Sequence, residues 1–306
     1  MTRVFIDGSA GTTGLRIRER LSARKDLQLL SLPEELRKDP KARSEALNSA
    51  DVSFLCLPDA AAKEAVSLIS SPVVLIDTST AHRTAEGWTY GFPELKHQRE
   101  KIMSSRRIAN PGCHASGFIA LIAPLLDAGL LSPDVRLSCF SLTGYSGGGK
   151  KMIAEYETDS LPPLLQAPRQ YALPQLHKHL PEMSVVCGLR HMPVFCPIVG
   201  NYYSGMEVTI PLTNEDTDST PDEIRRVYRE YYSSGLVRFV DAPEESGFLS
   251  AGALAGRDDM EISVFGQPER MLLVARFDNL GKGASGAALQ NMNILMGIDE
   301  TTGLSI

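Results

Sequence analysis

Short apolar runs alternate with amphipathic stretches through the first third of the chain. The apolar runs are TRVFID, DLQLLSL, VSFLCLP and SPVVLIDTS. The stretches between them, TGLRIRERLSA, PKARSEALNSA and DAAAKEAVSLIS, have the character of helices. Strands that alternate with helices form parallel sheets, because each helix returns the chain to the same edge. The pattern therefore predicts an α/β protein with a Rossmann-like, doubly wound parallel sheet.

Strand-like runs follow one another with few helices in the second half of the chain. The runs are RLSCFSL, PVFCPIVG, MEVTIPL, VRFVD and ERMLLVARFDNL, and one helical stretch, PDEIRRVYREYYSSG, interrupts them. This order predicts an α+β domain with a mixed or antiparallel sheet. The closing stretch, GASGAALQNMNILMGIDE, has an apolar helix pattern, and we expect it to pack back on the first domain. We therefore assign residues 1–112 and 284–306 to one domain and residues 113–283 to another.

The composition is that of a globular protein. The 306 residues are 43% hydrophobic and 22% charged, which is enough for two domains with buried cores. A net charge of -6 without a long basic cluster disfavours nucleic acid as a partner. No apolar segment approaches the roughly 20 residues of a membrane span, and no signal peptide precedes the first strand-like run. We expect a cytoplasmic protein with no membrane partner.

The five cysteines show no CxxC spacing, so neither a disulfide framework nor a zinc site is predicted. Cys56, Cys139, Cys187 and Cys196 lie in short apolar, strand-like runs, where cysteine usually behaves as a small buried hydrophobe. Cys113 differs, because it follows Asn-Pro-Gly and opens a long apolar run, which predicts the N-terminus of a helix. That position stabilises a thiolate and offers N–H groups to an oxyanion. The alternative is that Cys113 is only a small residue tolerated at a helix start and has no chemical role.

A nucleophile needs a proton acceptor, and the candidates are the six histidines. His177 and His179 bracket a lysine in LHKHLPEM and precede Pro181, which predicts an extended or turn segment. Acid–base chemistry is favoured over metal binding because no third ligand is evident nearby, so we predict no metal site. The alternative to an acid–base role for His179 is that its side chain only forms a local hydrogen bond.

A glycine-rich turn after the first strand is the candidate dinucleotide site. Its residues are Gly8, Ser9, Gly11, Thr12, Thr13 and Gly14. Glycines at such a turn let the backbone approach a pyrophosphate, although many strand-to-helix turns bind nothing. After the second strand, Ser31 stands where an acid would hold the ribose of NAD, and Arg37 and Lys38 suit a 2'-phosphate. NADP is therefore favoured, with a ribose held by Glu34 or Glu35 as the alternative.

Two further groups are suited to anions. Gly144 to Lys150 satisfies G-x-x-x-x-G-K, but Lys151 replaces the Ser or Thr of a P-loop, which disfavours an NTPase. One interpretation of this stretch is a flexible loop that binds one phosphate through Ser146 and Lys150. The alternative is a mobile surface turn that binds nothing. Arg83, at the end of a predicted strand, suits a substrate carboxylate, with a surface salt bridge as the alternative.

Six motifs in this order resemble the N-acetyl-gamma-glutamyl-phosphate reductase family in its shorter form. They are GSAGTTG, DTSTAHR, YGFPEL, NPGC, HKHLPE and KGASGAALQNMN, and they extend over nearly the whole chain. The resemblance implies an arginine-biosynthesis enzyme that reduces an acyl phosphate with NADPH through a cysteine thioester. It also implies the fold of aspartate-semialdehyde and glyceraldehyde-3-phosphate dehydrogenases, with an NADP-binding domain and a catalytic and oligomerisation domain.

Carried over by position, the resemblance makes Cys113 the nucleophile, His177 the acid–base residue and Tyr171 a residue that lines their site. The glycines of the first turn match the dinucleotide loop, and Asn279 and the Gly283 to Gly286 turn lie where the family's last helix approaches the cofactor. Two positions depart from the family pattern. His114 stands where many members have tyrosine, and His82 stands where many have an aromatic residue, which leaves the shape of the acyl pocket open.

Two alternatives to this function are aspartate-semialdehyde dehydrogenase, and a nucleotide-binding redox sensor in which Cys113 is oxidised without turnover. The motif HKHLPE favours the acetylated substrate. We expect a small-molecule substrate, an acylated amino-acid phosphate, and a homodimer or homotetramer paired through the strand-rich domain.

Overall fold

The computed structural model describes residues 1–243 and 245–306. The described chain forms two compact units. One comprises Met1–Pro111 and Ala284–Leu304, and the other comprises Gly112–Gly283 and Ser305–Ile306. The first unit is therefore built from two separate parts of the chain.

The first unit contains a six-stranded, entirely parallel sheet in the order β2-β1-β3-β4-β6-β5. Its strands are β1 (Thr2–Asp7), β2 (Leu27–Leu30), β3 (Val52–Leu55), β4 (Val74–Asp77), β5 (Thr89–Tyr90) and β6 (Arg107–Ala109). Its helices include α1 (Thr12–Ser22), α2 (Pro40–Ser49), α3 (Asp59–Ser67) and α4 (Gln98–Ser104). The predicted doubly wound parallel sheet is confirmed.

Local sequence signals explain where these helices begin. Asp39 caps α2 by accepting a hydrogen bond from the Ala42 N–H, and Pro40 occupies the first helical position, where no N–H is needed. In α1, Ile17 and Leu21 are buried against the sheet. The central strand β3 is buried along its whole length, as expected for a parallel sheet covered on both faces.

The second unit contains a seven-stranded mixed sheet in the order β11-β12-β13-β10-β7-β9-β8. Its strands are β7 (Ser138–Gly144), β8 (Arg169–Gln170), β9 (Val194–Gly200), β10 (Met206–Thr213), β11 (Val237–Phe239), β12 (Met260–Gln267) and β13 (Arg270–Phe277). Its helices are α5 (Cys113–Asp127), α6 (Gly149–Tyr156), α7 (Pro163–Gln166), α8 (Leu180–Cys187) and α9 (Pro221–Tyr231). The predicted mixed sheet is confirmed, although the strands β8 and β12 were not identified from the sequence.

The last helix, α10 (Gly286–Leu295), follows a π-helical turn at Gly281–Ser285 and belongs to the first unit. It packs against α1, α4 and β4. Leu289 and Met292 are fully buried in the same core as Ile17 and Phe54. The expectation that this helix packs on the first domain is confirmed.

Two local predictions in the second unit are wrong. Cys187 ends the helix α8 and does not lie in a strand, because Pro181 in the first turn favours a helix start and Gly188 ends the helix with a left-handed φ of 71°. The stretch from Gly144 to Lys151 is not a flexible loop, since a 3-10 turn at Tyr145–Gly148 leads directly into α6, which contains both lysines. Among the described helices, none has the length and apolar composition needed to cross a membrane.

Candidate active site

Cys113 is the first residue of α5, as its sequence context predicts. Gly112 precedes it as the N-cap and provides no side-chain hydrogen bond to the helix. The N–H groups of the first turn therefore lack a capping side chain, and they carry the positive end of the helix dipole. The Gly112 N–H donates to the buried Glu182 Oε1 at 2.8 Å, which fixes the turn before the cysteine. This geometry suits a thiolate and an oxyanion next to it.

Four aromatic rings surround His114, the residue after the cysteine. Ring centroids lie 6.1 Å away for Tyr171, 5.5 Å for both His177 and His179, and 5.2 Å for Phe195. All five side chains belong to the second unit. The structure thus brings together Tyr171 and His177, which the sequence analysis predicted as site residues, around the start of α5.

Hydrogen bonds fix two of these rings. The His179 backbone N–H donates to His177 Nδ1 at 3.2 Å, so the proton of a neutral His177 ring lies on Nε2. His114 Nδ1 lies 2.7 Å from Ser141 Oγ, and His114 Nε2 lies 2.7 Å from the Tyr171 hydroxyl. Ser141 was not identified from the sequence, because β7 and α5 are separate elements and only the fold places them together.

Burial determines the protonation states of this cluster. It lowers the pKa of His114 to about 3, with a smaller contribution from His177, so His114 is neutral at physiological pH. Burial, followed by the negative charge of Cys113, raises the pKa of the Tyr171 phenol, which stays protonated. The site therefore contains a neutral imidazole and a protonated phenol beside the cysteine.

Ser146 and Asn279 are bonded to each other inside the second unit. The buried Ser146 Oγ accepts from Asn279 Nδ2 at 3.0 Å, and Asn279 Oδ1 accepts from the Gly205 N–H at 2.9 Å. Both polar atoms of the Asn279 amide are thus engaged within this unit. Lys150 is exposed on α6.

A cavity of about 830 Å³ opens beside the glycine-rich turn in the first unit. The predicted cofactor residues that line it are Gly8, Ser9, Ser31, Arg37 and Lys38. Glu34 and Glu35, the alternative ribose ligands, also line it, as does Arg18 of α1. Arg18 was not predicted from the sequence as a cofactor residue, although its place one helical turn after Gly14 indicates that it faces the same side of α1.

Backbone crowding shows why glycine is needed in this turn. Gly8 has a φ of +86°, and a Cβ there would lie 2.2 Å from the Cys56 carbonyl oxygen. A Cβ on Gly14 would lie 2.5 Å from the Gly8 carbonyl oxygen, whereas one on Gly11 would lie 3.5 Å from it. Beside these glycines, the buried Thr12 Oγ1 has no hydrogen-bond partner among the described residues. A close backbone turn with an unsatisfied hydroxyl at a helix start fits a pyrophosphate.

Arg83 is held by backbone carbonyl groups in the first unit. Its Nε donates to the Asn110 carbonyl at 3.0 Å, and one terminal nitrogen donates to the Thr78 carbonyl at 3.1 Å. The neighbouring His82 bonds to the buried Asp77 through Nδ1 at 2.6 Å and stacks on Trp88. The guanidinium is therefore a cation in a fixed orientation, as recognition of a carboxylate requires.

Three of the other four cysteines have strongly buried thiols. Burial raises the pKa of Cys56 to about 12, and it raises the pKa values of Cys139 and Cys187 above their ordinary range. These thiols are protonated and unreactive at neutral pH. In the part of the chain that the structure describes, no group of three or more His, Cys, Asp or Glu side chains is arranged to hold a metal ion.

Comparison with known proteins identifies the family of this chain. A model of the semialdehyde dehydrogenase dimerisation domain matches residues 113–279, and a model of the semialdehyde dehydrogenase NAD-binding domain matches residues 13–104. The N-acetyl-gamma-glutamyl-phosphate reductases of Brucella ovis and Brucella canis are each 46% identical to it, over 96% of this chain and 99% of theirs. The chain belongs to the N-acetyl-gamma-glutamyl-phosphate reductase family. The resemblance inferred from its motifs is therefore confirmed.

Solved structures of aspartate semialdehyde dehydrogenases have the same fold as this chain. Aspartate semialdehyde dehydrogenase II of Vibrio cholerae has a TM-score of 0.71 at 16% identity, over 97% of this chain and 98% of that one. Aspartate semialdehyde dehydrogenase of Candida albicans has a TM-score of 0.69 at 14% identity, and the match covers 97% of this chain and 98% of that one. At such low identity the likeness establishes the fold and leaves the substrate to be argued from the reductase relatives.

Proposed function

We propose that this protein reduces N-acetyl-gamma-glutamyl phosphate to N-acetylglutamate semialdehyde and phosphate in arginine biosynthesis. The observation that carries the proposal is the position of Cys113 at the start of α5, within a cluster that contains His177 and Tyr171. Relatives at 46% identity bear the name of this reductase, whereas the aspartate semialdehyde dehydrogenases are only 14% to 18% identical. The acetylated substrate is therefore favoured over aspartate semialdehyde.

Cys113 forms the covalent intermediate. Its thiolate attacks the carbonyl carbon of the acyl phosphate, the carbon–sulfur bond forms, and the carbon–oxygen bond to phosphate breaks. The N–H groups of the first turn of α5 stabilise the negative charge that develops on the carbonyl oxygen. The product of this half-reaction is a thioester on Cys113. After reduction of the thioester carbon, the carbon–sulfur bond breaks, the aldehyde leaves and the thiolate is restored.

His177 handles the proton at Nε2. Because Nδ1 accepts a hydrogen bond from the His179 N–H, the neutral ring presents an N–H donor at Nε2. This donor stabilises the charged oxygen of each tetrahedral species and exchanges its proton with the reacting groups. The proton that the whole reaction consumes ends on the departing phosphate.

The protein takes a nicotinamide cofactor, which supplies the hydride when it is bound. The residues that would hold it are those of the glycine-rich turn, where Thr12 and Gly14 lie at the start of α1. We propose NADP(H) in preference to NAD(H), since Arg18, Arg37 and Lys38 place three cations around the cavity that Ser31 lines. Asn279 would contact it through the second N–H of its amide, since the first N–H and the amide oxygen already form hydrogen bonds.

We predict that Arg37→Ala raises the apparent KM for NADPH about tenfold and leaves the KM for NADH unchanged, because only NADPH carries the extra phosphate. Steady-state kinetics with both cofactors measures the two values. Lys25→Ala is the control, as Lys25 is exposed in the same unit and does not line the cavity. Equal effects on both cofactors, or a selective loss of NADH use in Glu35→Gln, would favour the alternative in which an acid holds the ribose.

Arg83 and the α6 region are the proposed contacts for the anionic groups of the substrate. The oriented guanidinium of Arg83 suits the α-carboxylate, and Ser146 and Lys150 suit the phosphate that departs. The first part of the Gly144 to Lys150 stretch has few spare backbone donors, because the Ser146 N–H is bonded to the Tyr203 carbonyl. The ammonium group of Lys150 therefore has to supply most of the attraction.

For this phosphate site we predict that Lys150→Ala raises the apparent KM for inorganic phosphate several-fold in the reverse reaction, because an ammonium charge near the phosphate is lost. Initial rates of NADP+ reduction at varied phosphate measure it. Lys101→Ala, in the helix α4 of the other unit, serves as the control. A KM for phosphate that stays at the wild-type value would remove Lys150 from the site.

The open face of the mixed sheet is the proposed surface for self-association. The helices α5 and α9 pack on one side of it, while Phe140, Val194 and Leu272 project from the other side and are about half exposed. An exposed apolar face of this kind is typical of subunit interfaces. Together with the match to a dimerisation domain, it supports a homo-oligomer, a homodimer or homotetramer.

We predict that Leu272→Asp lowers the mass measured in solution to that of one chain, 33.3 kDa, because it buries a charge at this interface. Light scattering on the wild type and the variant measures it. Glu269→Ala, at the exposed turn before β13, is the control. A wild-type protein that is monomeric, or a variant that keeps the wild-type mass, would contradict the assignment of the interface.

The function itself is tested in the reverse direction. The protein is mixed with N-acetylglutamate semialdehyde, NADP+ and phosphate, and reduced nicotinamide is followed by absorbance, with aspartate semialdehyde in a parallel assay. Phosphate-dependent turnover of the acetylated substrate alone is expected. Turnover of aspartate semialdehyde would retain the chemistry and change the substrate, whereas inactivity with both compounds would favour the redox sensor.

A further inference from the structure

Gly283 approaches the nucleophile closely from the turn that follows β13. A Cβ on Gly283 would lie 2.9 Å from the Cβ of Cys113, which is closer than two side chains can pack. The φ of Gly283 lies outside the left-handed region, so glycine is needed here for the close contact and not for the backbone conformation. Both residues belong to the second unit. The backbone of this turn is therefore in direct contact with the Cys113 side chain.

The fully buried Asp278 holds the turn at residues 278–283. Its Oδ1 accepts hydrogen bonds from the Leu280 N–H at 2.6 Å and from the Gly281 N–H at 3.1 Å. Its main-chain carbonyl accepts from the Gly281 N–H at 3.1 Å and from the Gly283 N–H at 3.0 Å. One residue thus holds the path of the chain from β13 to Gly283.

The second oxygen of the same carboxylate joins this turn to two other segments. Asp278 Oδ2 accepts from the Ser204 hydroxyl at 3.0 Å, in the loop between β9 and β10, and from the Gly256 N–H, in the segment between β11 and β12. A Cβ on Gly281 would lie 2.0 Å from the Arg257 carbonyl oxygen, so the turn also packs tightly on the residue after Gly256. A shift of the turn would therefore break or strain these contacts.

The pattern of donors requires a carboxylate at this position. The N–H groups of Leu280, Gly281 and Gly256 and the hydroxyl of Ser204 all donate to Asp278, and an ionised carboxylate is an acceptor at both oxygens. An asparagine side chain of the same size would turn its NH2 group toward at least one backbone N–H in either orientation. Asp278→Asn therefore weakens the turn without changing the volume of the side chain.

We propose that Asp278 is a positioning residue for the nucleophile, because its carboxylate holds the turn at residues 278–283 against the Cβ of Cys113. The sulfur is attached to that Cβ, and the backbone of Gly283 excludes a rotamer that would direct the sulfur into the turn. Attack on a carbonyl carbon requires an oriented nucleophile. The effect on turnover rests on the proposed function, whereas the contact is a property of the protein without substrate.

Asp278 also precedes Asn279, the residue predicted to approach the cofactor. The Asn279 amide has hydrogen bonds of its own, from Nδ2 to the Ser146 hydroxyl and from the Gly205 N–H to Oδ1. These bonds hold the amide independently of the carboxylate. We therefore expect a change at Asp278 to affect the nucleophile and to leave cofactor affinity in place, and separate measurements distinguish the two routes.

The first experiment measures the contact without substrate, through melting temperatures followed by circular dichroism. Gly283→Ala is expected to lower the melting temperature by about 4 °C, because the new methyl group displaces the Cβ of Cys113. In a Cys113→Gly background, which lacks that Cβ, the same substitution is expected to cost at most about half as much. In an Asp278→Asn background the loss is also expected to be smaller, because the turn is free to shift.

Gly252→Ala is the matched control for these comparisons. Gly252 is exposed in the same unit, and a Cβ there would lie 3.6 Å from Ser250 Oγ, an ordinary contact distance. Its effect is expected to be the same in the wild type and in both backgrounds. A loss for Gly283→Ala that is as large in either background as in the wild type would overturn the proposal.

The second experiment measures how Asp278 acts in the reverse reaction. Asp278→Asn is expected to lower kcat about tenfold, while the KM for N-acetylglutamate semialdehyde and the Kd for NADPH stay within about twofold of the wild type. Ser204→Ala removes one donor from the same carboxylate and is expected to lower kcat less, which keeps the test available if Asp278→Asn does not fold. Asp216→Asn is the control, since Asp216 holds a turn after β10 by accepting from the Thr213 N–H.

Two kinetic results would overturn the proposal. One is a wild-type kcat in both Asp278→Asn and Ser204→Ala. The other is weaker NADPH binding as the main effect of Asp278→Asn, because the residue would then act through Asn279. A wild-type protein without turnover would count against the proposed function, and the melting temperatures would still test the contact because they require no substrate.

Discussion

Replacing Cys113 with serine is expected to lower kcat at least about a thousandfold in either direction of the reaction. A serine hydroxyl ionises far less readily than a thiol, so the start of α5 would no longer present an anion. The affinity for NADPH is expected to stay within about twofold of the wild type, because the residues that line the cofactor cavity belong to the other unit. Stopped assays with purified protein and fluorescence titration with NADPH measure the two quantities.

Cys196→Ser is the matched control for this prediction, since Cys196 lies on β9 and outside the cluster around His114. It is expected to retain most of the wild-type activity. A Cys113→Ser variant that keeps more than about a tenth of the wild-type kcat would exclude a thioester on this residue. Loss of NADPH binding in the same variant would instead indicate a general defect in folding.

Replacing Gly14 with alanine is expected to weaken NADPH binding at least about tenfold and to lower the melting temperature. The new Cβ would lie 2.5 Å from the Gly8 carbonyl oxygen and 3.0 Å from Ser9 Cα, and these backbone atoms cannot rotate away. Overpacking of this kind typically costs about 1–3 kcal/mol. The gain of about 1 kcal/mol from alanine in a helix offsets only part of it.

Gly11→Ala tests the same turn without the clash, because its Cβ would lie 3.5 Å from the same oxygen, an ordinary contact distance. Its melting temperature is expected to fall less than that of Gly14→Ala. Thermal unfolding followed by circular dichroism compares the two variants with the wild type. An equal melting temperature for Gly14→Ala and the wild type would show that the turn can open to accept a side chain.

Periodicity in the sequence predicted most of the fold, because β1 to β4, α1 to α3 and α10 each have an apolar pattern of their own, whereas β5, α4 and β6 were not predicted. The same signal fails where one pattern suits two structures. The run SVVCGL is as apolar as a strand, but it lies in a helix that has Pro181 in its first turn and Gly188 as its C-cap. The hairpin partner β12 was missed because its alternation becomes evident only opposite β13.

The site was predictable where a residue's own neighbours define its role. The Asn-Pro-Gly before Cys113 indicates a helix start, and the histidine spacing in HKHLPE indicates a turn with two imidazoles. The roles of Ser141 and Arg18 depend on contacts between distant parts of the chain, and no local pattern reports such contacts. The two hydrogen bonds of His114 likewise join distant parts of the chain, which the sequence does not show.

The division of the first unit into two parts has a consequence for synthesis on the ribosome. The core around Ile17 and Phe54 includes Leu289 and Met292 from α10, so it is incomplete until residues 284–304 have left the exit tunnel. The unit that begins at Gly112 is continuous up to Gly283, and its sheet can close earlier. The helix α10 is therefore synthesised after every strand of both sheets, and the part of the first core that it covers stays without that helix until then.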